Sequence, residues 1–211
     1  MQTDNIRIAS DGSGREQALL EAEKYAQYVG LDRKKSLQLR LLTEEMLGMV
    51  TAITEDFDAD FWIENTETGV CQLHLYAETE MNYTKKKELL SVSTSGKNEA
   101  SKGFMGQIRE MIENFLFAGE EEMDRMAING DPFLFASMGM YGPDELLSSP
   151  MLYQWSLEQY RASISEKQAE APEVKEAWDE LEKSIVASIA DDVRVSVSGS
   201  TVELVIEKNS F

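Results

Sequence analysis

Glu44 and Glu45 stand side by side in LLTEEMLGMV, residues 41–50, within a run whose apolar spacing is helical. Such a pair has two readings. One carboxylate can serve as a general base toward water or a hydroxyl, or both can line an ordinary solvated helical edge. Four residues after Glu45 comes Met49, a soft thioether that offers a divalent cation no hard oxygen. Met46 and Met49 read as core packing. A second candidate is SGKNEASKGFMGQIREM, residues 95–111, where Gly103 and Gly106 open a helix with Lys97 and Lys102 nearby. Free amides at a helix start, flanked by lysines, can cradle phosphate, although a lone G-x-x-G is a weak signal. A third is VCQLHLYAE, residues 70–78. Strand alternation puts Cys71, Leu73 and Leu75 on one face and Gln72, His74 and Tyr76 on the other. A Cys–His nucleophile pair needs one shared face and is excluded. The expectation is a buried thiol and a partly exposed imidazole. With one cysteine and one histidine in the chain, neither an internal disulfide nor a His-rich metal site is expected.

The elements that must position these residues follow from periodicity. NIRIA, residues 5–9, reads as a strand before the turn SDGSG. Residues 15–29 read as a helix closed by Gly30, and Asp32 caps a second helix over 33–53. Strands over 59–64 and 70–78 flank the turn ENTETG. A short helix near 84–90, a polar Ser/Gly/Lys loop and a strongly amphipathic helix over 104–117 come next. After an acidic stretch, Glu120–Asp124, and a Gly-, Pro-, Met- and aromatic-rich region, a helix is expected from residue 149 or 150 to about 165. Another starts at Pro172 and runs through 174–189. Val193, Val195 and Val197, then Val202, Leu204 and Ile206, alternate about Gly199-Ser200 as a terminal hairpin. This order predicts an α+β fold: a two-layer α/β sandwich with a mixed, mostly antiparallel sheet and helices on one face. Residues 1–117 and 190–211 form the sandwich, and 118–189 an inserted, mainly helical segment.

Composition narrows the function classes. Apolar content of 42% with 28% charged residues belongs to a folded globular chain. The 39 acidic against 20 basic residues give a formal charge of −19, which repels a phosphate backbone, so nucleic acid is not an expected partner. No apolar run is long enough for a transmembrane helix. MQTDNIRIASDGSG lacks the basic-then-apolar pattern of a leader, and the expectation is a cytoplasmic protein.

The element order resembles that of the GHKL ATPase superfamily, the histidine-kinase-like ATPase domains, and most of all its compact bacterial anti-sigma-factor serine kinases. The resemblance covers the chain outside about 118–190. It implies ATP as cofactor and the residues that would hold it. Glu45 falls where the family places its activating glutamate, and Met49 where it places the asparagine that helps hold Mg²⁺. LYAETEMNY, residues 75–83, stands at the family's D-x-G-x-G, with Glu78 or Glu80 for the aspartate and both glycines missing. Lys97, Lys102, Gly103 and Gly106 match the lid-to-helix turn that holds phosphate. These departures imply weakened or lost ATP binding, no metal ligand, and a regulatory protein that works by protein–protein contact. The alternative is an active serine kinase or ATPase with a rearranged site, using Glu45 as base and Lys97 or Lys102 on phosphate. Phe133, Phe135, Met138, Met140, Tyr141, Met151, Tyr153 and Trp155 either pack a local subdomain or form an adhesive surface. On the second reading, 118–165 binds a partner with a basic patch or a second copy of the chain as a homodimer.

Overall fold

The computed structural model describes residues 1–53, 56–79, 153–166, 172–198, 201–209 and 211. Strand β1 (Ile6–Ala9) leads to helices α1 (Arg15–Tyr28) and α2 (Arg33–Ile53), then to strands β2 (Phe57–Asn65) and β3 (Val70–Thr79). Strand β4 (Tyr153–Ser156), helices α3 (Leu157–Glu166), α4 (Pro172–Lys183) and α5 (Ile185–Ile189), and the hairpin β5 (Asp192–Ser198) and β6 (Thr201–Asn209) complete the described chain. The strands form one sheet in the order β1-β2-β3-β6-β5-β4. The fold is α+β, with an open six-stranded sheet and helices.

The expected mixed sheet is antiparallel at every described pairing. A parallel pair would need a crossover that carries the chain back to the starting end of the sheet. Here even the excursion through α3, α4 and α5 leaves and re-enters at one end, so that Ser156 lies opposite Arg194.

Alternation decides the layers. Phe61, Ile63, Leu73, Leu75, Val195, Leu204 and Ile206 are fully buried on one face, and Ile6 and Ile8 continue that face to the β1 edge. Each described helix sends buried side chains into the same core: Ala18, Ala22, Tyr25 and Ala26 from α1; Leu39, Leu42, Met46, Leu47, Met49 and Val50 from α2; Leu157, Tyr160 and Ile164 from α3; Leu181 from α4; Val186 and Ala187 from α5. The described part of 118–189 therefore shares its sheet and core with the rest of the chain.

Local chemistry fixes the helix ends. Asp32 accepts the Lys35 amide at 2.9 Å, as an N-cap should. Gly30 adopts φ +74 while Gly30 and Leu31 donate back to Gln27 and Ala26, closing α1. The helix expected from residue 149 or 150 begins instead at Leu157, after a strand. Ser156 Oγ accepts the Gln159 amide at 3.2 Å and Asp192 Oδ1 accepts the Glu158 amide at 3.0 Å. The helix expected over 174–189 is two helices, because Ser184 is extended (φ −78, ψ 124) and caps the second through the Ala187 amide. The expected helices 84–90 and 104–117 lie outside the described residues.

Candidate functional site

Two places hold chemistry-bearing side chains. The first is the outer edge of α2. Core packing of Leu42, Met46 and Val50 turns the next positions round the helix, Glu44 and Glu45, to partial exposure. Arg40 Nε donates to Glu44 Oε1 at 3.1 Å, one helical turn away, and the same guanidinium pairs with Glu23 of α1. Those carboxylates raise the Arg40 guanidinium further above its ordinary range, Glu23 most of all. Glu44 thus helps tie α1 to α2, and Glu45 stands half-exposed beside it.

Met49 is 3% exposed and Met46 is sealed, both inside the core. The position to which the resemblance assigns a metal-holding asparagine thus belongs to the hydrophobic core. Glu78 is exposed and lies opposite Asp58 on β2 and Thr201 on β6, whereas its neighbour Ala77 is buried in the core. Glu78 therefore projects from the face of the sheet opposite to the helices, while Glu45 rides on a helix that covers the inner face. The two are not brought together. Lys97, Lys102, Gly103, Gly106 and Glu80 lie outside the described residues. The described residues do not fit a Mg·ATP complex held by Glu45, Met49 and Glu78, and among them no cluster of His, Cys, Asp and Glu has the form of a metal site.

The second place is the outer sheet face, on which no described helix packs. Across it run Trp62, His74, Val205 and Arg194, adjacent on successive strands. A parallel row places Asp60, Tyr76, Glu203 and Ser196 side by side. Among the described residues, Asp58, Asp60, Glu64, Glu78, Asp192, Glu203 and Glu207 are the acids of this face, and Arg7 and Arg194 its cations. Arg7 lies 3.3 Å from Asp58 and 3.6 Å from Asp60 at the β1 edge. Arg194 pairs with Glu207, which also accepts the Gln72 amide at 2.5 Å.

His74 departs from the expected partly exposed imidazole. Its side chain is only 12% exposed, and its ring stacks on Trp62 with centroids 4.8 Å apart and planes 3° from parallel. Burial depresses its basicity most, Glu64 and Glu203 raise it, and Arg194 lowers it; the balance falls below the ordinary imidazole range. Cys71 faces the other way, into the core, where burial pushes its thiol up to about 11 despite a hydrogen bond with Tyr25. A thiol so raised is inert at neutral pH.

Sequence reasoning placed Cys71 and His74 on opposite faces but missed the Trp62–His74 pair. The signal was present: a turn closing at Asn65 and Cys71 fixes the register, and counting back puts Trp62 opposite His74. No protein-family model matches the chain, and no curated protein or solved structure compared with it gives a match.

Proposed function

We propose that this chain is a regulatory protein on a histidine-kinase-like, anti-sigma-factor-like ATPase fold, acting by protein–protein contact with ATP binding weakened or lost. One observation carries the reading: Met49 is packed into the core, 3% exposed, where the resemblance calls for an oxygen ligand to Mg²⁺. Catalytic phosphoryl transfer depends on metal and positioning, and a thioether buried in the hydrophobic core supplies neither. The separation of Glu45 from Glu78 by the sheet works in the same direction.

The partner side of the reading rests on charge. Of the expected docking segment 118–165, the described part is committed to the fold: Trp155 is 3% exposed, and Leu157, Tyr160 and Ile164 are buried. The outer sheet face is the better surface. It combines the 40%-exposed Tyr76 with Asp58, Asp60, Glu64 and Glu203, and apolar area supplies affinity while charge steers encounter. The partner is a protein with a basic patch.

The double variant Asp60→Lys, Glu203→Lys reverses charge on both sides of Tyr76 without touching the core. Association with proteins from the native cytoplasm, followed by sedimentation, is expected to fall about tenfold or more. Wild-type association should also weaken as salt rises from ~0.05 to ~0.5 M. Complexes indifferent to both would place the partner surface elsewhere.

A further inference from the structure

The chain has one histidine, and the fold surrounds it with opposed carboxylates. His74 Nε2 lies 3.3 Å from Glu64 Oε1 on β2, and Nδ1 lies 4.0 Å from Glu203 Oε1 on β6. Both ring nitrogens are inaccessible and lack a hydrogen bond that meets ordinary geometry among the described residues. Trp62 closes one face of the ring. A neutral imidazole owns a single N–H, so it must turn a lone pair toward one of these acids; a charged imidazole presents N–H to both.

We propose that His74 is a proton-operated clamp: once protonated, it becomes a donor to Glu64 and Glu203 at once and ties β2 to β6 across β3. The other charged or titratable groups on this face, among the described residues, are Arg7 from β1, Asp58 and Asp60 from β2, Tyr76 and Glu78 on β3, Glu207 from β6, and Asp192 and Arg194 from β5. Glu207 is engaged by Arg194, so it partly neutralises the cation that opposes charging of the ring. The clamp does not depend on the partner reading.

The sign follows from burial. The folded ring holds its proton less readily than the ring in the unfolded chain. At neutral pH the uncharged form predominates in both. As pH falls below about 6.5 the unfolded chain protonates first. Stability therefore drops through that window and levels off only below the depressed folded value, where the clamp closes.

Because the histidine is unique, its ring C–H signals report the site in the intact protein. The expected midpoint lies below the ordinary imidazole range. Glu64→Gln should lower it and Arg194→Gln should raise it, each by roughly half a pH unit or more. Tryptophan emission should change with the same midpoint, since a charged imidazole quenches a stacked indole, and His74→Gln should abolish that change together with the loss of stability below pH ~6.5. An ordinary midpoint unmoved by both variants, or an emission change that survives in His74→Gln, would overturn the clamp.

Discussion

Replacing Met49 by asparagine is expected to cost the fold about 3 kcal/mol or more and to confer no Mg²⁺-dependent ATP turnover. The change restores the residue type that the resembled family uses, so a site that had lost only one ligand should recover. The structure gives the opposite expectation. Met49 is 3% exposed and packs with Leu42, Met46 and Val50 of its own helix against the core. Asparagine would leave part of that volume empty and bury an amide among side chains that can neither donate nor accept. Chemical denaturation measures the first effect, and phosphate release measures the second. A variant as stable as wild type that hydrolyses ATP would mean that Met49 lines an accessible site.

Gly14→Ala should be as damaging from a different cause. Gly14 precedes α1 at φ +81, and a Cβ there would lie 1.9 Å from the carbonyl oxygen of Arg7. The left-handed backbone alone costs a non-glycine residue roughly 1–2 kcal/mol. The clash adds to it, because backbone of β1 must move and β1 is held in register against β2 from Ile6 to Ala9. A loss of about 3 kcal/mol or more is expected. Gly12 supplies the control: its φ is +87 but nothing lies within 4 Å of a Cβ, so Gly12→Ala should lose only roughly 1 kcal/mol. Equal losses at the two positions would show that backbone conformation, not the approach of Arg7, makes Gly14 necessary.

Much of the fold was legible because its punctuation is chemical. Asp32 and Gly30 mark helix ends through side-chain capping and positive φ, and both act as their residue types require. The β2–β3 and β5–β6 hairpins followed from alternation, which also assigned Cys71 to the core and His74 to the opposite face. Strand β4 was not legible by periodicity. YQWS is four residues long, too short a run for alternation to separate it from the helix expected across it. The decisive local cue was Ser156 with Gln159 three positions on, a capping pattern that starts the helix at Leu157. Ser184 likewise splits 172–189 into two helices by capping the second.

The candidate ATP residues show a different limit. The resemblance assigned Glu45 and Glu78 to one ATP site, but spacing along the chain does not carry the face of a sheet. Alternation does. Glu78 is in phase with His74 and Tyr76, the helices must cover the phase of Leu73 and Leu75, and the two acids end on opposite sides. The surroundings of His74 were beyond alternation along β3 alone, since Trp62, which stacks on its ring, stands on β2.

The most direct test of the proposed regulatory role is a calorimetric titration of the wild-type chain with Mg·ATP, followed by turnover at saturating nucleotide. The expected result is binding weaker than about 1 mM, corresponding to roughly −4 kcal/mol, and no phosphate release or serine phosphorylation above background. Micromolar binding with robust turnover that is lost in Glu45→Gln would contradict it and establish the active kinase or ATPase instead.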